Sequence, residues 1–281
     1  MNVGIICDLV FDKHIGIKNY FYAIKNIFNN IKIINNLHDL ENIDMLFIGN
    51  EHFLPHRNVW ENELFQKMCN YNNIKVVVFS CERIYNSSFL HNVKIQENLK
   101  KFDNLYQYCI DADDIEILNC KPMKSCISKE FKNIILSEEK QNKCAFLGNV
   151  DCFSYNNRKK LLEDVGKHVE IVFPQKKEKW CDYIHELSKY RFIISPLGNA
   201  NSFNLKFYEI LLAKSIPIQQ VKNNTLKYYQ EESMFRDCIY FENVDEIKNK
   251  INNCTLQNST NSIWLEDYIV SLLRNDLLLK D

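Results

Sequence analysis

The segment from Tyr190 to Lys222 constrains the fold more than any other part of the chain, because its pattern changes twice. Phe192–Ile194 is a short apolar run with β-branched residues, typical of a buried parallel strand. A polar loop follows, and then apolar residues recur at helical spacing: Phe203, Phe207, Ile210 and Leu211. Ile216–Ile218 begins a second strand. A strand, loop, helix and strand in this order predict a parallel sheet covered by helices.

The rest of the chain alternates in the same way. The predicted strands outside this segment are Val3–Cys7, Ile31–Ile34, Met45–Ile48, Ile74–Phe79, Leu105–Ile110, Cys144–Leu147, Val169–Phe173 and Ile239–Phe241. The predicted helices are Ile17–Phe28, Val59–Cys69, Phe89–Leu99, a short helix from an Asp111 cap through Leu118, Arg158–Val165, Trp180–Leu187, Val244–Ile251 and Ile263–Leu279. We therefore expect an α/β protein with two Rossmann-like parallel-sheet domains.

The domain boundaries follow from changes in this pattern. Lys129–Lys143 is charged and loses clear periodicity, so we place the first boundary near residue 140. The expected organisation is an N-terminal domain over residues 1–139, a second domain over 140–259, and a terminal helical segment over 260–281. At 281 residues, the chain has the length for two domains of this size.

Composition and motifs exclude several classes of protein. The formal net charge is −1, so no global basic field would recruit nucleic acid or a membrane. The 11 cysteines are odd in number and include no C-x-x-C pair, which favours a reducing, cytoplasmic compartment over a disulfide scaffold or a zinc finger. No run approaches the length of a transmembrane helix. Neither G-x-G-x-x-G nor a P-loop motif occurs, which argues against a dinucleotide oxidoreductase or a P-loop kinase.

The loop and helix after Phe192–Ile194 carry the strongest candidate site. Lys206 and Glu209 are three residues apart, so they share a face near the start of the predicted helix. A cation and a carboxylate beside a polar loop and a helix N-terminus could hold a phosphate and a ribose. The alternative is a solvent-facing pair of charges. Side chains and a glycine of the loop could also contact phosphate or sugar: Ser195, Gly198, Asn199, Asn201 and Ser202.

This segment resembles the donor-sugar half of GT-B glycosyltransferases, and most closely the exostosin-like and spore-coat-associated transferases. The matching residues are Tyr190, Phe192, Pro196, Gly198, Asn199, Lys206, Glu209 and Ile216–Ile218. The family usually has an arginine three residues before the glutamate and often another after the proline. Here those positions hold Lys206 and Leu197, which changes how a diphosphate would be clamped.

The resemblance implies a nucleotide-sugar donor, with UDP-sugar favoured, and Glu209 as the residue that binds the ribose. It also implies catalysis without a metal or other cofactor, and a terminal helix that crosses back to the first domain. Phe146–Asn149 is similar to the family's donor-domain opening, where a basic residue follows. This similarity assigns Gly148 and Asn149 to donor binding, with Arg158 as the basic residue.

In the first half, candidate catalytic residues follow predicted strands, at the sheet edge where ligands bind in open α/β folds. Asp8, His14 and Glu82 are three alternatives for the base that would deprotonate an acceptor hydroxyl in an inverting enzyme. On the acceptor side we expect Gly16, placed before a helix, and the loop residues His52 and His56. Sequence does not choose among the bases, and a retaining enzyme would need none.

The sequence is compatible with two classes of acceptor. One is a surface glycan or lipid-linked sugar, and the other is a hydroxymethylated pyrimidine in DNA, as in phage-type DNA glycosyltransferases. The near-neutral net charge does not support the DNA acceptor. A rival from another class is a non-catalytic nucleotide- or glycan-binding protein on the same scaffold, since fold does not imply function. A third hypothesis is that the protein is an unrelated two-domain α/β enzyme.

Overall fold

The structure is a computed structural model that describes residues 1–6, 15–34, 37–49, 73–80, 103–150, 157–198, 202–222, 224–228, 238–255, 264–276 and 278–279. The chain divides into two compact units. Unit 1 comprises Met1–Lys124, Ser128–Glu130 and Leu265–Asp281, and unit 2 comprises Ser125–Ile127 and Phe131–Trp264. The chain therefore passes from unit 1 to unit 2 around residues 125–131 and returns to unit 1 at Leu265.

The described residues form strands and helices in alternation. The strands are β1 (Val3–Ile6), β2 (Ile31–Ile33), β3 (Met45–Gly49), β4 (Lys75–Ser80), β5 (Leu105–Cys109), β6 (Lys121–Pro122), β7 (Gln141–Ala145), β8 (Ile171–Val172), β9 (Tyr190–Ser195), β10 (Ile216–Gln220) and β11 (Ile239–Phe241). The α-helices are α1 (Ile15–Ile27), α2 (Ala112–Leu118), α3 (Arg158–Gly166), α4 (Trp180–Ser188), α5 (Leu205–Leu212), α6 (Ile247–Asn252) and α7 (Leu265–Asn275).

Unit 1 is built on a parallel sheet with the strand order β2-β1-β3-β4-β5-β6. Its central strands are fully buried apolar runs, such as Val76–Phe79 in β4, because helices in this class cover both faces of the sheet. The Asp111 side chain caps α2 by accepting the backbone N–H groups of Asp113 and Asp114 at 2.9 and 3.0 Å. This cap confirms the predicted start of the short helix.

The terminal helix α7 packs against α1 in unit 1 and is anchored by a buried glutamate. The Glu266 carboxylate accepts hydrogen bonds from Asn26 Nδ2 at 2.9 Å, from Ser128 Oγ at 2.6 Å and from the Lys129 backbone N–H at 2.8 Å. Several donors thus offset the cost of burying this charge. The return of the terminal helix to the first unit confirms the fold that the resemblance implied, whereas the hydrogen bonds of Glu266 were not predicted.

Unit 2 is built on a second parallel sheet with the order β11-β10-β9-β7-β8. One face packs against α3 and α6 through Leu162, Val165 and Ile247. The other face packs against α4 and α5 through residues that include Ile184 and Ile210. The chain therefore contains two all-parallel α/β sheets, which confirms the predicted fold class.

Several predicted boundaries shift in the structure. Helix α1 begins at Ile15, two residues before the predicted start, so Gly16 lies in its first turn instead of preceding it. The terminal helix α7 is shorter than predicted and spans Leu265–Asn275. The predicted helices Val59–Cys69 and Phe89–Leu99 lie outside the described residues. Among the helices that are described, none is long and apolar enough to cross a bilayer.

Candidate functional site

The candidate site lies at the carboxyl edge of the unit 2 sheet. Parallel strands end at one common edge, and ligands of open α/β sheets bind there. Residues Phe146–Asn149 follow β7, Ser195 ends β9, and Gln220 ends β10. The loop that follows β9 leads into α5, which carries Lys206 and Glu209. The topology thus brings the two halves of the predicted donor site, separated by roughly fifty residues of sequence, to a single edge.

Lys206 reaches from α5 to the end of β7. Its ammonium donates a hydrogen bond to the carbonyl oxygen of Leu147, and Nζ lies 4.2 Å from the centre of the Phe146 ring. A Cβ atom at Gly148 would lie only 2.9 Å from this Nζ. The absence of a side chain at Gly148 is therefore what allows the ammonium to rest against the β7 loop.

Burial lowers the pKa of Lys206 to about 7, because the ammonium loses solvation in this position. The nearby carboxylate of Glu209 opposes this decrease, whereas the positive charge of Arg158 adds to it. A group with this pKa gains a proton readily when an anion binds beside it. The site can therefore respond to a phosphate by becoming more positive.

Glu209 is buried at 6 % exposure and is held by two aromatic donors. Trp180 Nε1 donates to Glu209 Oε1 at 2.6 Å, and the Tyr183 hydroxyl also bonds to this carboxylate. Burial raises the pKa of Glu209, while the Trp180 hydrogen bond and the charge of Lys206 act in the opposite direction. This environment contradicts the alternative of a solvent-facing surface pair and fixes the carboxylate in one orientation.

Arg158 brings a second cation to the same edge. It is the first residue of α3, and its Nη1 atom donates to the carbonyl oxygen of Asn149 at 2.9 Å. The guanidinium also lies close enough to Lys206 to lower the pKa of that ammonium. The two predicted cations are therefore neighbours, as binding of a diphosphate would require.

The start of α5 leaves polar groups available. Asn204 occupies the N-cap position with an extended backbone, but its side chain makes no capping hydrogen bond. The hydroxyl oxygens of Ser195 and Ser202 are fully buried and have no hydrogen-bond partner among the described residues. Buried hydroxyl groups normally have partners. An uncapped helix N-terminus and two such hydroxyls together indicate a site for a polar, anionic ligand.

A pocket of about 400 Å³ opens beside this cluster, within the size range of ligand pockets. Arg158 and Gly198 line it, together with Pro196 of the predicted donor loop. Lys160 and Lys222 add two further cations, and Asp164 is the one carboxylate among the described residues that line the pocket. The excess of positive charge suits a phosphorylated ligand.

The structure thus places most of the predicted donor residues at one edge and leaves others undescribed. Those brought together are Gly148, Asn149, Arg158, Ser195, Gly198, Ser202, Lys206 and Glu209. Two predicted members of the donor loop, Asn199 and Asn201, lie outside the described residues. The same is true of the candidate bases Asp8, His14 and Glu82, and of the acceptor-side residues His52 and His56.

Sequence reasoning missed the aromatic residues of the site. Trp180 and Tyr183 lie on α4 and sit three residues apart, so they share the helix face that reaches Glu209. The sequence signal that could have identified them is the spacing of this aromatic pair within the predicted helix Trp180–Leu187. Phe146 was predicted as part of the donor-domain opening, but the contact of its ring with Lys206 was not predicted.

Comparison with known proteins adds similarity at the level of shape. No family model matches the chain, and no curated protein matches it. Among solved structures, one similar chain is an α,α-trehalose-phosphate synthase (UDP-forming) from Burkholderia xenovorans, with 10 % identity and a TM-score of 0.47. That similarity covers 88 % of this chain and 79 % of the synthase.

Two further solved structures are similar to the chain. The GtfA/B complex has 9 % identity and a TM-score of 0.44, with 86 % of this chain and 55 % of that chain covered. TarM has 12 % identity and a TM-score of 0.44, and the similarity covers 83 % of this chain and 48 % of TarM. The chain thus spans about half the length of these two proteins. At such identities and TM-scores, the function has to be argued from the site itself.

Proposed function

We propose that the protein is a glycosyltransferase that moves a sugar from a nucleotide-diphosphate sugar to a hydroxyl group of an acceptor. The donor, a UDP-sugar by preference, would bind at the carboxyl edge of the unit 2 sheet. The transferred group would be a hexosyl or pentosyl unit. The resemblance of the Tyr190–Lys222 segment to GT-B transferases supports this assignment, and so does the chemistry of the site.

One observation carries the proposal: the Lys206 ammonium rests over Gly148 at an edge that also presents an uncapped helix N-terminus. The cations lie at this edge, and so do the hydroxyls of Ser195 and Ser202, which have no hydrogen-bond partner in the part of the chain that the structure describes. Diphosphates are bound by this combination of groups. The donor's diphosphate would replace Leu147 as the partner of the ammonium.

The same groups would assist bond breaking. Negative charge grows on the diphosphate as the sugar leaves, and fixed cations stabilise this charge more in the transition state than in the bound donor. Lys206 and Arg158 would supply the positive charge. The Glu209 carboxylate would accept hydrogen bonds from the ribose hydroxyls, while Trp180 and Tyr183 hold this carboxylate in place.

The proposal also covers the acceptor and the general base. A glycan hydroxyl or a hydroxymethylpyrimidine in DNA would be deprotonated by Asp8, His14 or Glu82 if the enzyme inverts configuration. A glycan is the preferred acceptor, because the net charge of −1 offers little attraction to DNA.

The test is the release of nucleoside diphosphate from a panel of nucleotide sugars. Acceptors would be water, oligosaccharides and hydroxymethylated DNA. We expect release from one donor, slowed about 100-fold in Lys206→Met, since removal of one transition-state donor typically costs this much. Glu163→Gln, at an exposed position of α3, serves as the control and should release at the wild-type rate.

Two outcomes would contradict the proposal. Binding of a nucleotide sugar without release in the presence of every acceptor would favour the non-catalytic binding protein. Absence of binding to any nucleotide by the folded protein would remove the donor site altogether.

A further inference from the structure

An exposed aromatic ring stands at the carboxyl edge of the unit 2 sheet. Phe173 directly follows β8 and is 56 % exposed. The other large apolar side chains exposed in the described part of the chain are aliphatic: Met1, Ile117 and Ile135. The position of this ring beside a polar site offers a ligand a flat apolar surface to stack against.

Phe173 lies next to the groups that are proposed to bind the phosphates. Its ring packs edge-to-face against the buried ring of Phe146, with centroids 6.3 Å apart and an interplanar angle of 67°. The Phe146 ring also lies under the Lys206 ammonium. The same buried side chain therefore touches both the exposed ring and the cation.

The backbone fixes this arrangement. The N–H of Phe146 donates to the carbonyl oxygen of Val172 at 2.9 Å, which joins the end of β7 to the residue before Phe173. Phe146 is only 2 % exposed, so it is a rigid support for its neighbour. A stacking surface held by packing loses little conformational entropy when a ligand binds.

We propose that Phe173 is the platform on which the nucleobase of the donor nucleotide stacks. This inference rests on the proposed function, because the phosphates held by Lys206 determine where the base can lie. In a nucleoside diphosphate, one ribose separates the phosphates from the base. The flat, apolar end of such a ligand would then cover the exposed ring, while its charged end contacts the ammonium.

The proposal makes a statement about specificity as well. Every nucleobase has a π-face, so stacking on a single ring tolerates different bases. Phe173 would therefore contribute similarly to the binding of each nucleotide that the site accepts. Any preference for one base has to come from hydrogen bonds elsewhere in the site.

The test is calorimetric titration of wild type, Phe173→Ala and Phe173→Tyr with UDP, ADP, GDP and inorganic pyrophosphate. Stacking on an aromatic side chain contributes about 1–3 kcal/mol per base, so Phe173→Ala should weaken nucleotide binding about 5- to 150-fold. Phe173→Tyr should stay within about twofold of wild type, because its ring also stacks. Pyrophosphate, which has no base, should bind wild type and Phe173→Ala equally.

Ile135→Ala is the matched control, because it also removes an exposed apolar side chain of unit 2 and should leave every affinity unchanged. Nucleotide affinity equal to wild type in Phe173→Ala would overturn the platform while leaving the proposed function intact. An equal loss for pyrophosphate would also overturn it, by showing a structural effect. If wild type binds no nucleotide, this result contradicts the proposed function, and the proposed role of Phe173 is contradicted as well.

Discussion

The two edges of the unit 2 sheet each hold a lysine, and the two lysines have opposite surroundings. Lys140 precedes β7 at the amino edge, and its ammonium donates to the carbonyl oxygens of Ser188 and Ala213 at 2.6 and 3.0 Å and to Ser215 Oγ at 3.1 Å. All three N–H donors are therefore used within the protein. Burial, and then the charge of Lys214, lowers the pKa of Lys140 to about 8.

Lys206 at the carboxyl edge has a lower pKa but fewer partners. Among the described residues, its ammonium meets one hydrogen-bond acceptor, the carbonyl oxygen of Leu147, and the face of Phe146. The comparison teaches that burial alone does not mark a functional lysine. Lys140, whose three N–H donors are all bonded within the protein, stabilises the fold. Lys206, which has one hydrogen-bond acceptor among the described residues and lies beside a glycine, is positioned to bind a ligand.

The largest effect on stability is expected at the amino edge. Lys140→Met removes three hydrogen bonds and leaves the carbonyl groups at the ends of α4 and α5 without their charged donor. The free energy of unfolding should fall by about 2–3 kcal/mol, while nucleoside diphosphate affinity stays within about twofold. Urea unfolding and calorimetry measure the two quantities. A variant as stable as wild type would show that the two edges do not differ in this way.

Lys206→Met should give the reverse result. A charge-assisted hydrogen bond to a phosphate contributes about 1.5–3 kcal/mol, so nucleoside diphosphate affinity should fall about 10- to 150-fold. Stability should be unchanged or higher, because a desolvated cation is replaced by an apolar side chain. Calorimetry of the folded variant measures the affinity. Loss of stability without loss of affinity would make Lys206 a structural residue like Lys140.

A pair of glycine substitutions sharpens the comparison further. Gly148→Ala would place a Cβ atom 2.9 Å from Lys206 Nζ and push the ammonium from its position, so affinity should fall about tenfold. Gly166→Ala is the control, because its nearest neighbour would be Ile171 Cδ1 at 4.0 Å and alanine favours a helix. That variant should bind as wild type. Equal nucleoside diphosphate affinities in the two variants would show that Gly148 has no role in the binding site.

The smallest expected effect concerns pH. With a pKa of about 7 in the free protein, Lys206 loses its proton as the pH rises, whereas a bound diphosphate favours the protonated form. Affinity should therefore be highest below pH 7 and fall about fivefold between pH 7 and pH 8. Calorimetry across this range gives the profile, and Lys206→Met should abolish it. A profile that is flat in wild type would contradict the proposed proton uptake.

Elements with a strong local pattern could be predicted from the sequence, and elements defined by tertiary contacts could not. Ile239–Phe241 is apolar along its length and was predicted with its observed bounds. β6 (Lys121–Pro122) was missed, because two residues next to a charged stretch carry no strand periodicity. The same difference explains the site: the Lys206 and Glu209 spacing is local, whereas Trp180 meets Glu209 from 29 residues earlier.

The environment of Glu209 shows most clearly which features of the site could not be predicted from the sequence. Its position on a helix face follows from the sequence, but its burial depends on how α4 packs beside α5. Helical spacing cannot distinguish a solvated carboxylate from one held by an indole and a phenol. That distinction changes the expected chemistry, because a buried carboxylate has a raised pKa and a fixed orientation.

The most direct test of the central claim is a crystal structure of the protein with a bound nucleoside diphosphate. The account predicts that the diphosphate lies at the carboxyl edge of the unit 2 sheet, with Lys206 Nζ turned from the Leu147 carbonyl to a phosphate oxygen and the ribose beside Glu209. A diphosphate bound elsewhere, with the Lys206–Leu147 hydrogen bond unchanged, would contradict it.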